Sequence, residues 1–421
     1  MPLPHGAVAL DDRVRRVLLG AFALGLAVSI SLAQLVLTLL AARLVWRLAT
    51  RRARLHGWPL GVPVAAWAAT SLLSALLAGR PLDAATTAVR GLVLIVALYA
   101  VLDALPDAAA ADRWLHGLLA LIAALGVIGV LQVALCPVLD PLAPWAAGMG
   151  PLRRVLTGCR RAHAFYSIYM TLAGVLSLVL LAVLPRLLPG GGGAGGAGGR
   201  WAAAWLAGGT GLAMTYVRGA WLGFLAGALV LLGLVRQGRA LLVVAVAILV
   251  VLVLAVPGVR RRAESIVDPA DPTARERLAM WRSGGAMARD HLLLGVGPGQ
   301  VKRVYPDYVA PEYRAKPRGH LHNTPLQILV ERGALGLAAW AGLFGLFFWR
   351  AARVLRRLPS PAARERALVA GSIAAIAGFL AGGLTEYNFG DSEVVLVAWT
   401  VMAVPFVVSR ATPTGAAPVA P

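Results

Sequence analysis

The apolar run from Val17 to Trp46, VLLGAFALGLAVSISLAQLVLTLLAARLVW, is longer than one membrane-spanning helix requires. A helix crosses the hydrocarbon core of a bilayer with about 20 residues. Ser29 and Ser31 interrupt the run near its middle. The run therefore predicts a hairpin of two spanning helices that breaks near these serines.

Further apolar runs follow along the chain at 58–78, 84–104, 113–136, 164–187, 201–216, 218–235, 239–257, 325–350, 365–385 and 392–409. The chain has 421 residues, of which 59% are hydrophobic and 14% are charged, and its mean hydropathy is +0.75. This composition excludes an ordinary soluble domain. It predicts an all-α, polytopic membrane protein with about 12 transmembrane helices. The first apolar run continues into more membrane, so no cleaved signal peptide is expected.

Arginines in the short loops predict the orientation, because cytoplasmic loops carry an excess of Lys and Arg. Such arginines follow the second, eighth and tenth predicted spans: Arg47, Arg51, Arg52, Arg54, Arg236, Arg239, Arg350, Arg353, Arg356 and Arg357. These loops and both termini are predicted to be cytoplasmic. The opposite side then holds the outer loop 137–163, the turn before Arg218, the 258–323 loop and the turn from Glu386 to Glu393.

The predicted organisation has three parts. Residues 1–257 hold helices 1–9 with the outer loop 137–163 and a Gly-rich cytoplasmic linker at 189–200. Residues 258–323 form the large outer loop between helices 9 and 10, and residues 324–421 hold helices 10–12 and a cytoplasmic tail. The linker is assigned no chemistry. Cys136 and Cys159 fall around the first outer loop, and the sequence leaves open whether they form a disulfide.

The segment RGHLHNTPLQ at residues 318–327 joins the large outer loop to the tenth apolar run. Thr324 is predicted as an N-cap, with Pro325 at the first helical position and Gln327 completing a capping box. His322 then precedes a helix N-terminus, where free N–H groups and the helix dipole favour anions. Two histidines and an arginine there suggest acid/base chemistry on an anionic substrate; an ordinary capped loop is the alternative.

The net charge of +21 comes mainly from arginine. Candidate phosphate ligands on the outer side are Arg153, Arg154, Arg160, Arg161, Arg218, Arg275 and Arg277, since the planar guanidinium matches phosphate oxygens. Arg218 is flanked by apolar residues, and a snorkelling anchor is the alternative for it. Arg260 to Arg262 are expected on a solvated or lipid-headgroup face, and Gly295-Val-Gly-Pro-Gly299 predicts a turn with close backbone approach.

The sequence lacks the motifs that several kinds of chemistry require. No Walker motif for ATP and no His/Cys/carboxylate set with metal spacing is found, so no cofactor and no metal are expected. The basic residues are dispersed among the spans without a nucleic-acid-binding module, which argues against a nucleic-acid partner. A basic membrane protein instead suits anionic lipids or phosphates.

Four segments carry a family resemblance: TYVRGAW at 215–221, RLAMW at 277–281, HLLLGVGPG at 291–299, and His322-Asn323 followed by Gly333-Ala-Leu-Gly336. The last is the most specific, because His-Asn at that distance before Gly-x-x-Gly surrounds the family's essential histidine. Together they resemble the O-antigen ligase family, within the superfamily that also holds O-antigen polymerases and oligosaccharide transferases. The resemblance covers most of the chain from about residue 150 onward.

The resemblance implies transfer of a glycan from undecaprenyl pyrophosphate to the lipid A–core of lipopolysaccharide. It implies a metal-independent glycosyltransferase of the bacterial inner membrane whose active site faces the periplasm. His322 is the expected general base, because histidine titrates near neutral pH. The expected ligands of the diphosphate are Arg218, Arg277, Arg161 and Arg318, and further candidates are His320, Arg275, Asn323, Glu386 and Asp391. Gly333 and Gly336 are interpreted as a helix-packing patch.

Other functions stay open at this level. An O-antigen polymerase or a protein O-oligosaccharyltransferase of the same superfamily would use similar arginines. A transporter for an anionic lipid or glycan is the alternative from another class, favoured by about 12 spans and an arginine among apolar residues. Transporters often show matching halves, which are not found here, and transport leaves the 258–323 loop unexplained.

Overall fold

The structure is a computed structural model that describes residues 5–51, 59–141, 144, 155–191, 198–235, 255–266, 268, 270–309 and 319–411, with scattered positions between 239 and 251. Within these ranges every regular element is a helix. The longer helices are His5–Val28, Ile30–Ala49, Gly61–Leu76, Pro81–Ala104, Ala108–Ala134, Tyr169–Leu187, Gly198–Met214, Arg218–Leu234, Pro257–Glu264, Pro272–Asp290, Thr324–Arg357, Ala363–Gly382 and Ser392–Ala411. Short helical turns lie at Cys136–Leu139, Val301–Val304, Tyr305–Asp307 and Asn388–Gly390.

The predicted hairpin is present and breaks at Ser29. Ser29 has extended backbone angles, and its hydroxyl accepts a hydrogen bond from the Leu32 amide at 3.4 Å. A serine N-cap satisfies one of the free amides that every helix start leaves. Helices also lie on every other predicted span except 239–257, where 9 of the 19 residues lie outside the described part of the chain.

Among the described residues, 7 helices are long and apolar enough to cross a membrane. Two shorter apolar helices, Gly61–Leu76 and Arg218–Leu234, add to them. The all-helical, multi-pass fold is therefore confirmed, while the count of about 12 spans stays a prediction.

Small residues allow the central helices to approach closely. A Cβ on Gly223 would lie 2.6 Å from the carbonyl oxygen of Gly378, and Gly126 faces Gly211 across a second helix pair. In a bilayer, helix association depends on this close packing, because lipid gives no hydrophobic drive between helices. The helix Tyr169–Leu187 is almost wholly buried among its neighbours.

Buried ion pairs fasten the helix ends that are far from the large outer loop. Arg43 lies 2.8 Å from Asp11 and 2.6 Å from Asp103, and Arg186 lies 2.6 Å from Asp112. Charges at such depth need partners, because an unpaired charge in a low-dielectric interior is costly. These pairs join the helices that frame the bundle at this end.

The helix Thr324–Arg357, called the kinked helix below, bends at Gly333. Gly333 has φ 66° and ψ −171°, outside the helical region. A side chain there would collide with the carbonyl oxygen of Leu293. The predicted close approach of the 295–299 turn is thus confirmed, since Val296 N donates to Val330 O and Gly297 N to Glu331 O, both at 2.9 Å.

Candidate functional site

The kinked helix begins one residue earlier than the sequence predicted. Asn323 is the N-cap, and its side-chain oxygen accepts from the Leu326 amide at 2.9 Å. The prediction that Thr324 is the cap is wrong, because Thr324 is the first helical residue and donates to the Glu386 carbonyl at 2.9 Å. Asn323 also donates to the Leu384 carbonyl, at 2.9 Å. The 383–388 turn therefore fixes this helix start.

The predicted capping box is also absent. The Gln327 side chain does not reach back to the cap; its oxygen accepts from the Leu321 amide at 2.9 Å, and its amide donates to Glu331 at 2.8 Å. Gln327 is fully buried. Its polar groups consequently bind the backbone just before His322 and the helix turn below it.

Glu386 connects His322 to Arg277. The Nδ1 atom of His322 lies 3.0 Å from Glu386 Oε2, and Arg277 Nη2 donates to Glu386 Oε1. Arg277 stands on Pro272–Asp290, called the outer-loop helix below, and Glu386 stands on the turn before the last helix. A proton-handling group, a carboxylate and a cation from three separate segments thus meet at one place.

Arg218 is buried and holds a different part of the outer loop. Its Nη1 lies 2.5 Å from the Ser265 carbonyl and 2.8 Å from the Ser265 hydroxyl, and its Nη2 lies 3.1 Å from Asp271 and 2.6 Å from Thr273. These contacts engage both Nη atoms of the guanidinium. The predicted alternative, a snorkelling anchor, does not describe this arrangement, because Arg218 is 8% exposed.

Other guanidinium groups share the same electrostatic region. Burial lowers the pKa of Arg262, and repulsion from Arg218, Arg161 and Arg277 lowers it further, although Asp271 opposes this. Arg161 also stacks over the Tyr169 ring, with its guanidinium carbon 4.5 Å from the ring centre. Such a concentration of positive charge favours binding of a diphosphate.

Arg262 corrects one expectation. Arg260 and Arg261 are exposed as predicted, but Arg262 turns inward, lies 3.8 Å from Asp271 and donates to the Tyr216 carbonyl at 3.4 Å. Its inward position depends on Asp271, a partner that the local sequence does not show.

Asp271 organises this side of the site. Burial acts to raise its pKa, but hydrogen bonds from Thr273, the Ala274 amide and Arg218 outweigh it and lower the pKa of Asp271 to about 2. Asp271 is also the N-cap of the outer-loop helix, accepting from the Ala274 amide at 2.9 Å. The Asp-Pro at the start of that helix was the one signal in the sequence that could have identified it.

A cavity of about 320 Å³ opens beside His320 and Glu386. Its other walls are largely apolar or glycine, including Gly174, Leu178 and Phe379. The His320 ring packs edge-on against the His322 ring, with centroids 4.3 Å apart. His320 therefore lies between the cavity and His322.

Asp391 lines the same cavity and accepts a hydrogen bond from Thr171 at 2.5 Å. Of the remaining candidates, Arg275 and Arg160 are exposed, and Arg160 contacts an outer groove with Asp140. Arg153, Arg154 and Arg318 lie outside the described residues. Cys136 and Cys159, which the sequence left open, are joined by a disulfide, with Cα atoms 5.2 Å apart.

A buried pair, Glu331 and Arg332, was missed by sequence reasoning. Arg332 Nη1 lies 2.6 Å from Glu331 Oε2, and Arg332 also stacks over Trp67 at 4.7 Å. The available signal was Glu-Arg inside an apolar run, four residues after Gln327. Among the described residues, no group of three or more His, Cys, Asp or Glu is placed to hold a metal ion.

Comparison with known proteins gives one family. Residues 202–341 match the family model described as O-antigen ligase, whereas no curated protein matches the chain significantly. The matched region contains Arg218, Arg277 and His322, and it ends before Glu386. This family supports a glycosyltransferase-like membrane enzyme of the ligase/polymerase type. The match confirms the resemblance carried by the motifs: over residues 202–341 the chain is similar to the O-antigen ligase family.

Proposed function

We propose that this protein transfers a glycan from undecaprenyl pyrophosphate to the lipid A–core of lipopolysaccharide. The observation that carries the proposal is the single carboxylate, Glu386, between His322 Nδ1 at 3.0 Å and Arg277. Glycosyl transfer from a diphosphate donor needs a base for the acceptor hydroxyl and positive charge at the leaving group. His322 can supply the base and Arg277 the positive charge, and both contact the same carboxylate, Glu386.

Glu386 assigns the direction of proton transfer at His322. A neutral histidine that donates its Nδ1–H to Glu386 has its Nε2 lone pair available as a base. The negative charge on Glu386 stabilises the imidazolium that forms when Nε2 takes the proton from the acceptor hydroxyl. His322 is thus the catalytic base, and Glu386 orients it.

The arginines have different roles in binding the diphosphate. Arg277 and Arg161 contact the departing diphosphate, and Arg318 is a further ligand. Arg218 contributes charge and holds the loop, because its Nη atoms already contact Ser265, Asp271 and Thr273.

The cavity supports a lipid-linked donor. Its apolar walls suit the first isoprene units of a polyprenyl chain, and its polar end is formed by His320, Glu386 and Asp391. The diphosphate would then lie where the apolar cavity meets the arginines. No cofactor is required in this scheme, and transfer is proposed to proceed without metal.

The disulfide between Cys136 and Cys159 supports an active site on the periplasmic side of the inner membrane, since disulfides persist in oxidising compartments. Partners are then the lipid-linked glycan donor, the lipid A–core acceptor and membrane lipids. A nucleic-acid partner is not part of the proposal.

The test is a reconstituted transfer assay. Purified protein receives undecaprenyl-pyrophosphate glycan with either lipid A–core or more donor as acceptor, each with and without EDTA. We expect product on lipid A–core in both metal conditions, and a rate about 100- to 10,000-fold lower with His322→Ala. Glycan elongation on the carrier instead would identify a polymerase, and transfer at the wild-type rate by His322→Ala would remove the assigned base.

A further inference from the structure

Leu321, the residue before His322, is held by both of its backbone polar groups. Its N–H donates to Gln327 Oε1 at 2.9 Å, and its carbonyl accepts from Trp281 Nε1 at 3.0 Å. Its side chain is fully buried. Leu321 is therefore fixed between the kinked helix and the outer-loop helix.

His322 needs such support because its backbone is unfavourable. Its φ is +48°, a left-handed conformation that costs a residue with a Cβ free energy unless the surroundings impose it. On its other side, Asn323 and Thr324 are tied to the 383–388 turn. On the side that precedes His322, Gln327 binds the N–H of Leu321, and Trp281 binds its carbonyl.

Gln327 is itself held by a buried polar chain. Its amide donates to Glu331 Oε1 at 2.8 Å, which also accepts from the Gly299 amide at 3.0 Å. The other oxygen of Glu331 pairs with Arg332, whose Nε donates to Ser71 Oγ at 3.1 Å. Gln327 and Glu331 are almost completely buried. The orientation of the Gln327 amide is thereby fixed, with its oxygen toward Leu321.

Trp281 connects the contacts of Leu321 to Arg277, the cation that binds Glu386. Trp281 follows Arg277 by one helical turn on the outer-loop helix, so the two side chains lie on the same face. The helix that brings Arg277 to Glu386 therefore also binds the carbonyl that precedes His322. Movement of this helix would displace both groups together.

We propose that Gln327 and Trp281 are positioning residues that clamp Leu321 and thereby set the ring of His322 against Glu386 and the acceptor hydroxyl. The inference rests on the proposed function for its kinetic consequence. A displacement of about 1 Å at a catalytic group can cost about 100-fold in rate. Neither residue contacts substrate in this scheme.

The first measurement is independent of activity. In hydrogen–deuterium exchange of the full-length protein, Gln327→Met should speed exchange of the Leu321 amide at least tenfold, since that amide loses its acceptor. Trp281→Phe should leave that amide protected, because it removes a donor to the carbonyl. Unchanged exchange at Leu321 in Gln327→Met overturns the clamp.

The second measurement is kinetic. We expect Gln327→Met to lower kcat about 10- to 100-fold with the KM for donor within about twofold, and Trp281→Phe to lower kcat about tenfold. The matched control is Trp205→Phe, a buried tryptophan whose Nε1 donates to the Leu180 carbonyl at 3.0 Å, between two helices that carry neither His322 nor Arg277 nor Glu386. In a His322→Ala background, Gln327→Met should cause no further loss of the residual rate.

The outcomes separate the clamp from the proposed function. Wild-type kcat in Gln327→Met, or an equal fall in Trp205→Phe, overturns the positioning role while leaving His322 as base. An additional loss on top of His322→Ala also overturns it, because it marks a merely structural effect. Full transfer by His322→Ala defeats the proposed function instead, and the exchange experiment still decides whether Leu321 is clamped.

Discussion

Glu386 has two partners whose demands differ. His322 gains from a full negative charge at Oε2, whereas Arg277 at Oε1 withdraws part of that charge. An amide in place of the carboxylate keeps the shape and the hydrogen-bond acceptor but loses the charge. Substitution of Glu386 by Gln therefore separates the geometric from the electrostatic contribution of this residue to catalysis.

We expect Glu386→Gln to lower kcat about 10- to 100-fold, the range found when a group that orients a metal-binding histidine is lost. The cause is weaker stabilisation of the His322 imidazolium. Initial rates in the reconstituted assay measure it. Glu264→Gln is the matched control, since Glu264 is exposed on the same outer loop and lies 3.7 Å from the exposed Arg260. A fully active Glu386→Gln would contradict the orienting role.

The lowered pKa of Asp271 predicts that the stability of the protein depends on pH. Its pKa is lowered from 3.8 to about 2 in the folded protein, so its contribution is fully present above about pH 4 and is lost as the pH falls toward 2. Asp271→Ala also removes a helix N-cap, which costs about 1 kcal/mol. Thermal unfolding in detergent should show a wild-type advantage over Asp271→Asn that is constant from pH 7 to about 5 and shrinks below about 4.

A difference between wild type and Asp271→Asn that stays unchanged down to about pH 3 would contradict the lowered pKa. Loss of the difference already at neutral pH would show that Asn binds Arg218 as well as Asp does.

For individual residues, the sequence identified candidates from their residue type and local motif, but it did not identify the side chains that they contact. His322 and Arg277 stand in recognisable motifs. The partner of Arg218 is Asp271, 53 residues away, and the partner of His322 is Glu386, 64 residues away. Such pairs depend on how the helices pack, which local pattern does not encode.

Among the elements, the kinked helix shows how an apolar run hides a bend. The sequence predicts one span at 325–350, and the helix runs from Thr324 to Arg357 with Gly333 outside the helical region. The bend exists because the 291–299 segment hydrogen-bonds to it: Ala334 N donates to Leu292 O at 2.7 Å. Hydropathy alone could not show this, since the cause is a contact with a distant loop.

We expect Gly333→Ala to destabilise the protein by about 1–3 kcal/mol, because a Cβ would meet the Leu293 carbonyl in a backbone conformation that glycine tolerates best. Gly345→Ala is the control on the same helix, where an added Cβ meets nothing within 4 Å. That variant should be neutral or slightly stabilising. Thermal unfolding in detergent measures both, and equal stability of the two variants would contradict the kink.

Across the whole molecule, four segments predicted to share the outer side come together. Arg161, Arg218, Arg277 and Glu386 stand on different segments, yet each takes part in one electrostatic or hydrogen-bonded group around the outer-loop helix. The positive-inside rule predicted their common side, because it counts only loop charge. Their distances could not be predicted, since they depend on glycine contacts such as Gly223 with Gly378.

The orientation itself can be tested with single cysteines in a Cys136→Ser, Cys159→Ser background that retains transfer activity. Arg80→Cys lies in the exposed turn before Pro81–Ala104, and Ser360→Cys lies in the exposed turn before Ala363–Gly382. These turns are an odd and an even number of spans from the N-terminus in the predicted topology, so they should face opposite sides. In cells with a permeabilised outer membrane, we expect a membrane-impermeant maleimide to label Arg80→Cys at once.

Ser360→Cys should react only after the inner membrane is lysed. Labelling of Ser360→Cys alone in intact spheroplasts would place His322 on the cytoplasmic side and contradict the proposed periplasmic transfer. Labelling of both positions would contradict the alternation of the helices between them. Only the predicted pattern is compatible with the proposed transfer, in which the donor diphosphate, the disulfide-bonded loop and the His322 helix start lie on the periplasmic face of the membrane.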